Sequence, residues 1–207
     1  MNRHSGHSTM AFRFSILYLF TFLALAPYSY AQSQDPAGFI REFSEKGISD
    51  VLAAEIPDGE KKKRFRVMFD QYFDIPHIGR FVLGRYRRLT TNEQKEQFSN
   101  MFENVIIQTW SRRFSEYDGQ TLKVIATLAD GKTGALVKSQ IVGNNGTNIG
   151  VDWRVRNRDS QYKVVDIVVE GVSMAITYRQ EYSTIIARDG GFNGLLSQMQ
   201  KQISGRE

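Results

Sequence analysis

Apolar residues recur at helical spacing through the first half of the chain and at a spacing of two through much of the second. Asp35-Pro36 reads as a helix entrance with Pro at the first helical position. Phe39, Ile40, Phe43, Ile48, Val51 and Leu52 follow at roughly helical intervals, until Pro57-Asp58-Gly59 ends the element. A second helix is predicted over 60–72, with Phe65, Met68, Phe69 and Tyr72 on one face and Lys61, Lys62, Lys63, Arg64 and Arg66 over the remainder. Asp74 can cap a third, short helix holding Ile78, Phe81, Val82 and Leu83, which Gly84 stops. The longest helix is expected over 92–116, opened by a capping box between Thr91 and Gln94. Phe98, Met101, Phe102, Val105, Ile106, Trp110 and Phe114 form its apolar stripe. The opposite side, including Glu103, Asn104 and Gln108, is patterned for water.

From Thr121 the period drops to two, and four strands are predicted over 122–128, 135–142, 149–156 and 163–169. Asp130-Gly131, Asn144-Asn145-Gly146 and Asp159-Ser160 supply the turns between them, so the strands read as an antiparallel meander. The third alternates cleanly, whereas the fourth is apolar on both faces apart from Asp166 and belongs inside. That strand is expected to run through Glu170-Gly171 straight into a helix over 172–188 with two apolar lines, Val172, Ala175, Ile176 and Ile186 on one and Met174, Tyr178, Tyr182 and Ile185 on the other. A shorter helix with Leu195, Leu196 and Met199 follows Gly190-Gly191. The fold class is therefore α+β, a four-stranded antiparallel sheet with a helical N-terminal half and C-terminal helices.

The N-terminus changes the picture of compartment. Arg3 and Arg13 precede an apolar run from Phe14 to Ala26, and Ser29-Tyr30-Ala31 places small residues where a signal peptidase cuts. Residues 1–31 read as a signal peptide and 32–207 as a single domain. The run is too short to span a bilayer, which needs about 20 apolar residues. With no cysteine, an exported chain of this size must rely on its core. Removing Arg3 and Arg13 lowers the net charge from +5 to about +3, a mild basicity that suits solubility or an anionic surface. Export argues against nucleic acid as a partner.

The candidate chemistry is thin. Gly171-Val172-Ser173-Met174-Ala175 falls one glycine short of the nucleophile elbow of serine hydrolases. After the leader only His77 remains as a base, and it lies upstream of Ser173, whereas those enzymes carry their His last. Ser173 is better read as the start of a helix. Gly131-Lys132-Thr133 lacks the first glycine of a phosphate loop, since Ala126 stands there. One His and no Cys offer little to a metal, and Asn145-Gly146-Thr147 matches a glycosylation acceptor that is equally a turn. Asp166 is either an acid or base on a half-open cavity or the partner of an arginine such as Arg154. Arg80, Arg85, Arg87 and Arg88, with the run Lys61 to Arg64, either meet a lipid headgroup or anionic surface or form a solvated face.

Several segments in order carry a resemblance: Phe73-Asp74, Ile78-Gly79-Arg80-Phe81-Val82-Leu83-Gly84-Arg85-Tyr86, Thr91-Asn92-Glu93-Gln94, Val151-Asp152-Trp153-Arg154-Val155, Val168-Val169-Glu170-Gly171-Val172-Ser173-Met174 and the helix from Tyr178 to Ile186. Together they resemble the MlaC family of periplasmic phospholipid-binding proteins, the toluene-tolerance auxiliary family, which includes a hopanoid-associated branch, HpnM. The resemblance implies a curved antiparallel sheet and helices enclosing an apolar pocket for acyl chains. It implies a monomeric periplasmic carrier, without cofactor or catalytic residue, that shuttles phospholipid between an outer-membrane lipoprotein complex and an inner-membrane ABC-type transporter. The residues expected around the lipid are Val82, Tyr86, Val105, Trp110, Trp153, Val168, Val172, Met174, Tyr178 and Tyr182, each of which would serve equally as core. The alternatives are a hopanoid carrier and a lipid or ester hydrolase using Ser173.

Overall fold

In the computed structural model of the chain, residues 35–144, 146–158 and 161–205 are described. The expected leader, the Asp159-Ser160 turn and Asn145 lie outside the described residues. Asp35 caps α1 (Pro36–Gly47), its carboxylate accepting the N–H groups of Ala37 and Gly38 at 3.2 and 3.0 Å. The helix does not stop at Gly47 but widens into a π-helical turn, Ile48–Leu52. Two members of the basic run close that turn: Lys61 Nζ donates to the Leu52 carbonyl at 3.0 Å and Arg64 Nη1 to that of Asp50 at 3.2 Å. These side chains thus hold local backbone, and only Lys63 and Arg64 of the run 61–64 are exposed.

Helix α2 (Asp58–Tyr72) and helix α4 (Asn92–Ser111) lie side by side. Arg66 of α2 reaches Glu103 and Asn104 of α4, and Lys62 reaches Gln108. That side of α4 therefore faces another helix rather than water, a pairing the one-dimensional pattern could not reveal. The Thr91–Gln94 capping box forms with both of its hydrogen bonds. Helix α4 ends at Ser111, earlier than its stripe suggested, and Phe114–Glu116 make a separate 3-10 turn. Helix α3 (Ile75–Leu83), capped by Asp74, ends at Gly84, whose φ of 52° is left-handed, and Gly84–Arg88 continue as a 3-10 turn.

The sheet holds five antiparallel strands in chain order: β1 (Thr121–Ala129), β2 (Gly134–Val142), β3 (Asn148–Arg158), β4 (Gln161–Val169) and β5 (Val172–Ser173). The expected four are present, and the fifth is a correction with a local cause. Glu170 and Gly171 both take positive φ, 47° and 82°, which makes a two-residue hairpin turn instead of a straight passage into the helix. Val172 and Ser173 fold back to pair with Val169 and Val168. A register slip between Arg154 and Val155 leaves Val165 as a bulge, so Val164 and Val165 are both buried although adjacent. Phe73 bridges Val164 on the free part of β4, and Asp74 N–H donates to the Val164 carbonyl at 3.0 Å.

Helices α5 (Met174–Arg188) and α6 (Gly191–Ser204) complete the fold. Ala175, Tyr182 and Ile186 of α5 are buried and Met174, Tyr178 and Ile185 half-buried, against α3, α6 and β4. Ile176 and Val172, expected on a second covered side, are 48% and 55% exposed. The helix thus buries one broad face. The core joins both halves of the chain, from Phe39, Tyr72 and Phe102 on the helices to Val137, Val155 and Val164 on the sheet.

Candidate functional site

The junction of β4, β5 and α5 decides the fate of Ser173. Its hydroxyl donates to Asp166 Oδ2 at 2.6 Å and accepts the Ile176 N–H at 3.1 Å, while Ala175 N–H donates to Asp166 Oδ1 at 3.0 Å. Serine and aspartate together cap the N-terminus of α5, where a carboxylate also meets the positive end of the helix dipole. Arg154, opposite Asp166 in register, turns instead to Asp130, as does Arg156, at 2.5 and 2.8 Å. The Arg156 and Arg154 guanidiniums hold the Asp130 carboxyl below its usual range. His77, the remaining candidate base, is engaged elsewhere: Arg158 Nη2 lies 3.0 Å from its Nδ1, and Arg158 pairs with Asp74 at 3.2 Å. Burial, and then Arg158, push the imidazole below its ordinary pKa. Among the described residues no cluster of three or more His, Cys, Asp or Glu could hold a metal.

What the fold does offer is apolar space between its helical half and its sheet. A cavity of about 360 Å³ is walled by Phe43, Val51 and Leu52 of α1 and its π turn, Phe65 and Met68 of α2, Trp110 of α4, Phe114 of the 3-10 turn after it, and Leu122, Ile141, Ile149 and Trp153 of the sheet. Polar residues in its lining include Arg113, Glu116, Gln120 and Thr121, where α4 passes into β1. The one polar group that Trp153 brings inside is satisfied, its indole N–H donating to Ser139 Oγ at 3.0 Å, while that hydroxyl donates to the Val151 carbonyl at 2.5 Å. The lining can therefore receive hydrocarbon without stranding a donor in the wall.

A second cavity, about 50 Å³, lies among Phe69, Phe73, Ile78, Ile106, Ile167, Met174 and Tyr178. Among the described residues Trp110 alone lines both. Aromatic rings continue from one to the other: Phe65 and Phe69 are 5.7 Å apart, and Phe69 stacks on Phe73 at 4.2 Å.

The residues expected around a ligand are spread over several environments. Trp110 and Trp153 line the larger cavity, and Trp110, Met174 and Tyr178 the smaller. Val82 and Val105 are packed in the core at 1% and 0% exposure. Tyr182 is buried against Phe98, Phe102 and Tyr178, and Tyr86 packs half-buried on the core. Val168 is half-buried on β4 and Val172 stands exposed on the β4–β5 hairpin. Desolvation raises the pKa of Tyr178 and of Tyr182, so both stay neutral phenols. Phe43, Val51, Leu52, Phe65, Met68 and Leu122 line the larger cavity without having been singled out. Their signal was available in the apolar positions that continue past the end of α1 and in the inward phase of the strands.

The sequence profile of the family described as MlaC protein matches residues 46–201. The chain belongs to the MlaC family. It is 24% identical over 177 residues to the intermembrane phospholipid transport system binding protein MlaC of Haemophilus influenzae, covering 82% of each chain. It is 27% identical over 106 residues to the toluene tolerance protein ttg2D of Pseudomonas putida, spanning 51% of this chain and about half, 49%, of that relative. Among solved structures, a phospholipid-binding protein of Ralstonia solanacearum, determined in complex with a phospholipid, shares the fold. Its TM-score is 0.73 at 21% identity, with 83% of this chain and 98% of that one covered.

Proposed function

We propose that this MlaC-family protein is a periplasmic phospholipid carrier that holds acyl chains in the cavity between its helices and sheet and leaves the headgroup near solvent. The observation that carries this reading is the apolar cavity of about 360 Å³, whose aromatic and aliphatic walls contain no unsatisfied donor from Trp153. The phospholipid named for the Haemophilus relative and bound in the Ralstonia structure supports it. Each methylene hidden from water is worth ~0.8 kcal/mol, so two acyl chains face a barrier on the order of 20 kcal/mol against crossing an aqueous gap bare. An apolar cavity removes most of that barrier with no reacting residue and no cofactor. A two-chain lipid is larger than the drug-sized ligands that cavities of this size hold, so loading displaces Trp110 and recruits the smaller cavity. The carrier would exchange cargo with a lipoprotein complex of the outer membrane and an ABC-type transporter of the inner membrane.

Mass spectrometry of lipid extracted from the protein purified out of the periplasm tests the proposal. Intact two-chain phospholipid is the expected result. Hopanoid in its place would move the protein to the polycyclic-lipid branch, and an empty cavity would refute the carrier. Turnover of a generic ester that disappears in Ser173→Ala would replace the carrier by a hydrolase. A mature N-terminus at Gln32 in the same preparation checks export.

A further inference from the structure

One of the two basic groups in the sequence is used internally, as Lys61 and Arg64 close the π turn. The other is not. From residue 75 to residue 92 the chain holds four arginines, Arg80, Arg85, Arg87 and Arg88, and no acidic residue. All four are exposed, and among the described residues none is in an ion pair with a carboxylate. Arg179 on α5 joins them. Its guanidinium lies 5.0 Å over the ring of Phe81 and packs so closely on Gly84 that a Cβ there would meet it at 2.9 Å. The end of α3, the turn after it and the outer side of α5 are thus one continuous surface. The same segments, with β5 just before α5, also carry exposed apolar side chains: Phe81 (38% exposed) on α3, Leu89 (77%) after the turn, Val172 (55%) on β5 and Ile176 (48%) on α5.

We propose that this surface docks the carrier on an anionic bilayer. Guanidinium groups pair with lipid phosphates, and the polybasic term is worth roughly a fivefold gain in partitioning per arginine near the membrane. The apolar side chains enter the boundary between headgroups and acyl chains, which accepts them at any spacing. A protein partner would need a matching pocket for each of them, and none of these four residues belongs to either cavity described above. The placement has a consequence for cargo. Ile176 is exposed on the first two turns of α5, whose Met174 and Tyr178 line the smaller cavity, so docking brings the acyl-chain compartment within one helix width of the bilayer.

Sedimentation of the mature chain with vesicles of phosphatidylcholine, alone or mixed with phosphatidylglycerol, tests the docking face. Binding is expected to the mixed vesicles, weakening as salt is raised, and not to phosphatidylcholine alone. Arg179→Glu and the double variant Arg87→Glu/Arg88→Glu should each lower partitioning at least roughly fivefold. The double variant alters only exposed side chains and controls for any loss of packing at Gly84. Ile176→Asp should lower it without changing net charge to the same extent. Lys123→Glu on β1 should leave it within about twofold, since one remote exposed charge contributes little to a local patch. No binding by the wild type, equal loss in Lys123→Glu, or wild-type partitioning in both arginine variants would each overturn the proposal, as would binding confined to an acidic protein. Phospholipid content of the same variants is read separately. Patch variants that lose vesicle binding but still carry lipid uphold both proposals, whereas a wild type that docks but carries none sinks only the carrier.

Discussion

The double cap at the start of α5 can be dissected quantitatively. Asp166 accepts one hydroxyl and one backbone N–H, at 2.6 and 3.0 Å, in a half-buried setting. Hydrogen bonds to a charged group contribute ~1.5–3 kcal/mol each when fully buried, and partial exposure puts Asp166→Ala at about 2–3 kcal/mol. Ser173→Ala removes an N-cap, typically ~1 kcal/mol, together with the same Ser–Asp bond. Both single variants therefore delete one shared interaction, and the double variant should cost less than the sum by ~1–2 kcal/mol. Urea unfolding followed by circular dichroism, at unchanged m-value, measures all four corners of the cycle. In a chain of this length Asp166→Ala corresponds to roughly 5–10 °C in Tm. Additivity within about 0.3 kcal/mol would show that the serine and the carboxylate act independently, and the joint cap would be wrong. Asp166→Asn, which keeps an acceptor, should lie between wild type and alanine.

Four further outcomes are expected. Trp110→Ala should join the two cavities and shift bound lipid toward longer acyl chains by mass spectrometry, at a stability cost of ~3 kcal/mol, the low end for a buried tryptophan, because this ring is only half-buried. Met68→Glu places a charge in the wall of the larger cavity and should abolish lipid co-purification while the far-ultraviolet spectrum stays unchanged. Tyr182→Phe should be neutral or stabilising by up to ~1 kcal/mol in urea unfolding, because the buried Tyr182 hydroxyl has no hydrogen-bond partner among the described residues. Burial and Arg158 depress the His77 pKa, so the unfolded chain takes up that proton first. Stability from this group is complete above about pH 6.5 and declines as pH falls below it. His77→Gln should flatten the slope of stability between about pH 7 and pH 5.

The features legible in the sequence were those that close over a few residues. Asp35, Asp74, Thr91 with Gln94, and Ser173 were each recognisable as helix starts, and each caps its helix, because a cap needs only the backbone of the next turn. The strands were likewise legible from alternation and turn dipeptides. Glu170 was not, since a non-glycine residue at positive φ leaves no compositional mark, and the hairpin it makes replaced a straight strand-to-helix passage. Arg66 and Glu103 looked solvated from their own helices and meet only because α2 and α4 do. Of the two readings of Asp166, acid or base on a cavity or partner of an arginine such as Arg154, the second fails for Arg154 because the hairpin loop brings Asp130 to Arg154 and Arg156. The cavity was the least legible part, because its walls come from residues as distant in the chain as Phe43 and Trp153, whose rings lie 5.4 Å apart.

The order of the strands has a bearing on how the molecule comes to be folded. Because β1 to β4 are each hydrogen-bonded to the next in sequence, the sheet can zip up by successive hairpins, with little loop-closure entropy lost at any step. The helices α1 to α4 precede it in the chain, and α1, α2 and α3 contact it over much longer sequence distances, as at Phe43 and Trp153. Sheet assembly should then run ahead of the docking of the helical half. The cavity walled by Phe43 and Trp153 lies at the seam between the early and the late unit, where local opening should be least costly. Amide exchange should register this as weaker protection around Ile48–Leu52 than along β2 and β3.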